Sequence, residues 1–466
     1  MKKPAHLLRG ALYLLLLLPI CLSPFASAQR HATKPKRSQG WQREQTTGQR
    51  GHSLPANIIV VTNTNDSGPG SLRDALAVAN DGDTIDATGV SGTILLTSGE
   101  LQITHNVTIN GSGAGSLALN GNATSRVFEN LTSDATISGF TITNGLTAGE
   151  NGGGGILNRG GLTLSDTSIV SNHAFTQSAD GIGGGISNSA GAALTVTGCT
   201  INDNGTDCAG GGIYSSNAWL MFMDSTISGN AAQAVGPPCV GFGGGIFSFG
   251  GTATVTNSTI SGNAAFAGGG GIRNDGGGTL TVINSTISEN SAAFVFGGGI
   301  SISNDANLTV TNSTMSGNSA PMGGAIDNGG TTTIGDTVLN AGASGGTIVN
   351  AGTFTSLGYN LASDDGGGVL TAPGDQINTH PMLGPLQDNG GPTFTHAVLP
   401  GSPAIDAGDP GFTPPPFYDQ RGPGFDRVFN GRIDIGSFEM QPTPTPTATA
   451  RPRFTPRLRP TPAPRP

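Results

Sequence analysis

Leu308-Thr309-Val310-Thr311-Asn312-Ser313-Thr314-Met315 recurs as Ala253-Thr254-Val255-Thr256-Asn257-Ser258-Thr259-Ile260 and again as Leu280-Thr281-Val282-Ile283-Asn284-Ser285-Thr286-Ile287. In Leu308-Thr309-Val310-Thr311 apolar and hydroxyl side chains alternate, so one set points inward and the other outward, the period of a β-strand. Asn312 interrupts, and Ser313-Thr314-Met315 resumes the alternation after a bend. A second element, Gly-Gly-Gly-Ile or Gly-Gly-Ala-Ile, ends at Ile156, Ile186, Ile213, Ile246, Ile272, Ile300 and Ile326, at intervals of 30, 27, 33, 26, 28 and 26 residues. Periods of this size belong to solenoids, propellers or arrays. A propeller blade needs ~40 residues or more and four substantial strands, and leucine-rich repeats need denser leucine. Strands this short cannot fold alone, but stacking coil on coil pairs each with its equivalent above and below. The expected fold is all-β: a right-handed parallel β-helix with a short N-terminal capping helix and an irregular C-terminal cap.

Stacking sets like on like. The Ile column after the glycines, a Val column (Val196, Val255, Val282, Val310) and a second Ile column (Ile201, Ile227, Ile260, Ile287) are expected to point inward. The copies close on an Ile-x-x-Asn or Met-x-x-Asn step. Asn144, Asn172, Asn204, Asn230, Asn263, Asn290 and Asn318 are expected to form a structural ladder, bonded through their side-chain amides as in cross-β stacks. Gly and Asn also suit tight turns because both tolerate positive φ. The glycine runs are not phosphate cradles, since no Lys-Ser or Lys-Thr follows them and such a site does not recur seven times.

The two ends differ from the body. Lys2, Lys3 and Arg9, an apolar run from Ala11 to about Leu22, and Ala26-Ser27-Ala28 have the order of a secretory signal peptide over residues 1–28. The run falls short of the ~20 residues of a spanning helix. Pro19 and Ile20 before Cys21 are bulky where a lipoprotein signal needs small residues. The expectation is export to the cell surface or extracellular space, with no transmembrane segment in the mature chain, as a monomer. Residues 29–55 read as a basic disordered linker, and residues 441–466 as a disordered Pro/Thr/Arg-rich tail of extended polyproline type. Between Ser53 and Met440 stand seven arginines, no lysine and 29 carboxylates, a formal −22. Such a body repels phosphates, which excludes nucleic acid as a partner.

Within the body, residues 56–132 are expected to form the N-terminal cap and first coils, 133–345 the glycine-rich coils and 346–440 the C-terminal coils and cap. Ser71 to Asn80 reads as an amphipathic helix, with Leu72, Ala75, Leu76 and Ala79 on one face and Ser71 as its N-cap. It would cover the open first coil, whose unpaired edge would otherwise invite polymerisation. Asp419, Arg421, Arg432 and Asp434 are expected to tie down the C-terminal cap as ion pairs. Cys208 and Cys239 fall in corresponding loops of adjacent coils, and strands ~4.8 Å apart suit a disulfide in an exported chain. Cys199 stands where other coils have Ser. No Cys-x-x-Cys pair with a nearby His suggests zinc, so no metal and no cofactor are expected.

Gly70-Ser71-Leu72-Arg73-Asp74-Ala75-Leu76 resembles the CSLREA-type motif that opens many bacterial β-helix proteins, with Gly70 in place of its cysteine. The paired Gly-Gly-Ala-Ile and Ile-x-x-Asn elements are similar to the repeats of chlamydial polymorphic outer-membrane proteins, which are adhesins. Leu383 to Pro392 and Leu399 to Asp406 resemble bacterial "choice-of-anchor Q" proteins, which vary in how they attach to the envelope. Together the resemblances span residues 57 to 439 and imply a surface β-helix. The polymorphic proteins end in a membrane β-barrel that has no counterpart here, so autotransport is not implied.

Three functions compete. Many β-helices are polysaccharide lyases or glycoside hydrolases, which need a strong base or two placed carboxylates. From Gly145 to Gly345 the only strong bases are Arg159 and Arg273, with no evident acid cluster beside either. Asp364-Asp365 is the candidate catalytic dyad, and Asp180, Asp203, Asp207, Asp224, Asp275, Asp305 and Asp327 would have to stack to form another. The second function is a binding module, a rigid face of stacked Thr, Ser and Asn with aromatics from the longer loops. Its candidate contact residues are Tyr214, Trp219, Phe222 and Phe242, and its partners would be envelope or extracellular polysaccharide, or another cell surface. The third is a passive structural spacer. A non-catalytic adhesion or glycan-contact role is the expectation.

Overall fold

The computed structural model describes residues 56–441 apart from 149–150, 176–181 and 237–238. The signal peptide, the basic linker, Asp180 and all but the first residue of the expected tail lie outside the described residues. A single coil shows the plan: Thr252–Thr256, Thr259–Ser261, Ala264–Ala265 and Ile272–Asp275 are successive strands, after which the chain returns to Thr279–Ile283, directly above Thr252–Thr256. Among the described residues the coils stack into three long parallel sheets. Sheet A has 12 strands, from Ile58–Val60 to Thr353–Gly358. Sheet B has 11, from Gly92–Leu95 to Leu361–Ala362, and sheet C has 10, from Leu101–Ile103 to Ile348–Asn350. A narrow ladder of two-residue strands, Leu146–Thr147 to Ser291–Ala292, lies between B and C. No described helix is long and apolar enough to cross a membrane.

The core consists of the expected columns. Ile156, Ile186, Ile213, Ile246, Ile272, Ile300 and Ile326 pair in register along sheet C, all fully buried. Each such side chain contributes ~1.5–3 kcal/mol by leaving water, so the column outweighs any single polar contact in the coil. Sheet A adds Leu164, Val196, Phe222, Val255, Val282, Val310 and Ile334, and sheet B adds Ile201, Ile227, Ile260, Ile287 and Met315.

The two sequence elements of the repeat prove to be packing partners. A Cβ on Gly185, Gly212, Gly245 or Gly271 would lie 3.2 Å from the side-chain amide carbon of Asn204, Asn230, Asn263 or Asn290 respectively. On its other side it would meet a carbonyl of the next coil at 2.6–2.7 Å. The last glycine of each run is therefore required by close approach to the asparagine ladder, and the first by its positive φ, as in Gly243 (+64°).

That ladder is buried and continuous from Asn172 through Asn204, Asn230, Asn263 and Asn290 to Asn318. Each Nδ2 donates to the next Oδ1 at 2.9–3.0 Å, and the same Oδ1 accepts the backbone N–H of the preceding asparagine. Asn144 is not a member. Ile142-Thr143-Asn144 is one residue shorter than Ile169-Val170-Ser171-Asn172, and the register Leu146 to His173 sets Gly145 opposite Asn172. Asn144 is exposed at φ +50° instead, and Gly145 donates its N–H to Asn172 Oδ1 at 2.8 Å.

The helix Leu72–Val78 caps the first coil, with Ser71 Oγ accepting from the Asp74 N–H and Leu72, Ala75 and Leu76 buried. The C-terminal segment departs from expectation. The far end of the solenoid is closed by residues 364–370, where the short 3-10 turn Gly366–Gly368 leads Leu370 into the main core. The chain then folds back along the outer surface of sheet B rather than capping the end. Its hairpin, Leu383–Gln387 with Thr395–Val398, and the stretch to Glu439 build a second small core of Val398, Ala404, Ile435 and Phe438 against Val338 and Leu361. Gln420 donates to Ser258 O and Thr259 Oγ1 and accepts from Thr286 Oγ1, while Ser437 N donates to Thr314 Oγ1 at 3.0 Å. Outward hydroxyls of sheet B thus become a docking strip for the chain's own end.

Candidate contact face

The outward surface of sheet A is built by the alternation that fills the core. In register from Gly161–Ser165 to Thr353–Gly358, its outward columns hold Thr163, Thr195, Met221, Thr254, Thr281, Thr309, Thr333 and Thr355, and beside them Trp219, Thr252, Thr279, Asn307, Thr331 and Thr353. A third column adds Thr197, Met223, Thr256, Ile283 and Thr311. No charged side chain stands in these columns across the eight strands, in a body whose formal charge is −22. Strand spacing places hydroxyls ~4.8 Å apart along the rod, and two residues of strand rise place them ~6.7 Å apart across it. Trp219 is 71% exposed and Met221 44%, so an aromatic plane rises from the hydroxyl array. The C-terminal segment covers sheet B from Thr259–Ser261 to Leu361–Ala362, while its earlier strands stay open, as at Thr200, and the outward face of sheet C is largely buried, as at Ser187, Phe247 and Ser301.

The structure separates the four proposed contact aromatics. Only Trp219 stands on this face. Phe222 is fully buried in the Val column between Val196 and Val255, because it lies three residues on from outward-facing Trp219 and therefore points inward. Tyr214 and Phe242 belong to another surface, both stacked on Phe247 at ring-centroid distances of 5.5 and 6.2 Å, with the Arg273 guanidinium over Phe242. Phe266 and Phe294 form a second, more exposed stack at 5.5 Å. The aromatics therefore do not make one flank.

The candidate dyad Asp364-Asp365 closes turns. Asp364 accepts from the N–H and hydroxyl of Thr347 and from the N–H of Gly366, and Asp365 caps the 3-10 turn through Gly367 N. Among the described residues the loop acids do not form a row. Asp203 and Asp224 occupy positive-φ turns on different edges, Asp305 bonds Ser303, Asp275 pairs with Arg273, and Asp207 lies 3.4 Å from His173. Coil stacking adds acids that linear sequence hides near both basic residues. Arg159 pairs with Glu129 at 2.8 Å, and Arg273 bonds Ser301 Oγ, which in turn bonds Asp327. Burial pushes the Asp327 carboxyl above its ordinary value. Cys208 and Cys239 are joined by a disulfide across adjacent coils, with Cα atoms 4.4 Å apart. Cys199 is buried in a serine ladder, where burial raises its thiol to about 11.

Two polar clusters were invisible in the sequence because they join distant segments. Ser288 Oγ lies 2.8 Å from His396 Nε2, whose Nδ1 faces the Gly384 carbonyl, the outline of a nucleophile and its base. Both residues are buried, Ser288 on sheet B and His396 on the hairpin strand that covers it, so no substrate can reach them. Further along, Asp336, Asp434 and Glu439 lie near enough to the fully buried Arg427 to feel its charge, though none of them pairs with it directly. Burial is the main cause that pushes Asp336 up to about 6 and Glu439 to about 8, with the Asp434 charge second for Glu439. Of the four expected cap residues, Arg421 and Asp419 pair at 2.6 Å. Arg432 instead donates to the carbonyls of Ala407 and Gly408, and Asp434 accepts backbone N–H groups.

Residues 84–287 match the family described as a right handed beta helix region. The chain is an all-β, right-handed parallel β-helix over these coils. No curated protein matches by sequence. Among solved structures, the crystal structure of pectate lyase Pel9A is similar at 15% identity and a TM-score of 0.43, with 83% of this chain and 96% of that chain covered.

Proposed function

We propose that this is an exported, non-catalytic β-helix protein that contacts neutral polysaccharide at a cell surface or outside the cell, through the outward face of sheet A. The observation that carries the reading is the charge-free hydroxyl array with Trp219 exposed within it. A planar aromatic beside ranked hydroxyls offers a sugar ring both a stacking surface and hydrogen-bond partners, and the missing charge suits an uncharged chain. Shape points the same way. Three outward positions span ~13 Å across the sheet and eight strands span ~34 Å along the rod, a long narrow strip that an extended glycan chain can follow. The signal-peptide pattern and the resemblance to surface β-helix adhesins support the location.

The test is retention of the mature protein on a panel of neutral and acidic polysaccharides, scored together with chain shortening. Retention on a neutral polymer that is lost in Trp219→Ala is the expected result. Depolymerisation abolished by changing Asp364 and Asp365 would replace this reading with an enzyme, and absence of both signals would leave a structural spacer.

A further inference from the structure

Asp406, Asp434 and Glu439 converge within the C-terminal segment, so that a carboxylate oxygen of each lies within 4.8 Å of the others. Backbone donors hold two of them in place. Asp434 accepts the N–H of Asp406 on one oxygen and that of Met440 on the other, each at 2.7 Å, and Glu439 Oε2 accepts the N–H of Asp434 at 2.8 Å. Glu439 Oε1, however, makes no hydrogen bond of good geometry, with the Phe429 N–H as the nearby backbone donor, although the residue is only 1% exposed. A desolvated carboxylate oxygen without a well-aligned donor is costly unless a cation or proton satisfies it. Arg427 does not fill that role. Its Nη2 donates to the carbonyls of Asp434 and Gly436, and its Nε and Nη1 make no hydrogen bond.

We propose that Asp406, Asp434 and Glu439 bind one divalent cation of the calcium kind. The donor set is all oxygen, which selects hard cations and disfavours zinc or copper. Calcium accepts irregular sets of six to eight oxygens at ~2.3–2.6 Å, whereas magnesium demands a near-ideal octahedron. Three carboxylates, each with lone pairs to spare, supply the anionic half of such a set, and water supplies the rest. The cation would join the Ala404–Asp406 arm to the Ile433–Glu439 arm. Those two arms build the small core that clamps the segment to sheet B, so the site acts as a staple on that clamp and is independent of the contact face.

The experiment is equilibrium dialysis of the chelator-treated full chain against labelled calcium, with thermal unfolding followed in parallel. One calcium per chain, and a melting temperature that rises with calcium, are expected. Asp406→Asn, whose side chain makes no hydrogen bond among the described residues, should fold as the parent does and bind roughly tenfold more weakly or worse, as should Glu439→Gln. No bound calcium at millimolar concentration would overturn the proposal, as would binding unchanged in both variants. Glu439→Gln that stabilises the calcium-free protein while the parent binds no calcium would assign the orphan oxygen to a protonated carboxyl.

Discussion

Replacing Asn263 by Ala removes the centre of the asparagine ladder, and the structure sets the size of the effect. Asn263 Oδ1 accepts from both the backbone N and the Nδ2 of Asn230, at 2.9 Å each, and its own Nδ2 donates to Ile227 O at 3.1 Å and Asn290 Oδ1 at 2.9 Å. After truncation Asn230 Nδ2 keeps Ile201 O and Ser228 O, and Asn290 Oδ1 keeps the Asn263 backbone N–H. One buried group, the Asn230 N–H, is left unsatisfied, while the Ile227 carbonyl keeps its place in the parallel ladder with Thr259–Ser261. At ~1–3 kcal/mol for that group, with the cavity added, the loss should be ~2–4 kcal/mol. Asn144→Gly is the matched control. Asn144 is exposed at φ +50°, where glycine is at ease, so that change should be neutral within ~0.5 kcal/mol. Urea unfolding by circular dichroism measures both, with several probes because stacked repeats need not unfold in one step. Asn263→Ala within ~1 kcal/mol of the parent, or Asn144→Gly costing as much, would refute the ladder's register.

Phe222→Ala should cost ~3–5 kcal/mol as a core truncation, while Trp219→Ala, three residues away and exposed, should leave the melting temperature nearly unchanged. Equal losses in thermal unfolding would contradict the inward and outward assignments. Gln420→Ala removes the bonds from the C-terminal segment to Ser258, Thr259 and Thr286, so limited proteolysis should release residues beyond about 380 faster than from the parent while the solenoid resists. Proteolysis at the parental rate would mean that this residue does not hold the segment down. In chelator, stability should fall as pH rises from about 5 to 8. Asp336, raised to about 6, and Glu439, raised to about 8, keep protons in the folded state that the unfolded chain has already released, so the folded state loses ground through that window. A melting temperature higher at pH 8 than at pH 5 would contradict that sign.

The solenoid was legible because stacking repeats one pattern many times, and Leu308-Thr309-Val310-Thr311 already carries the alternation that sorts core from surface. The same rule applied to Trp219-Leu220-Met221-Phe222-Met223 would have sent Phe222 inward, and grouping it with Trp219 as a contact residue let side-chain type override period. Asn144 failed for a related reason, since a motif counted from Ile142 ignores that pairing register, not spacing to the next asparagine, defines a ladder. The direction of the C-terminal segment was not legible. The Gln420, His396 and Ser437 contacts join residues 108 to 162 positions apart, and no local periodicity encodes them. Glu129 beside Arg159 lies one coil away and Asp327 two coils from Arg273, close in space only once the coil length is known, whereas Asp275 is two residues from Arg273 in the sequence. The threonine face was foreseen as a stacked hydroxyl surface, but its lack of charge shows only when the columns are aligned.

The most direct test of the contact face uses Trp219 as its own reporter. The chain has two tryptophans, Trp41 and Trp219, so replacing Trp41 by Phe leaves one emitter, 71% exposed on sheet A. Titration with neutral polysaccharide should shift its emission saturably and protect it from acrylamide quenching. Binding that leaves the emission and quenching of Trp219 unchanged would place the ligand elsewhere and contradict the account.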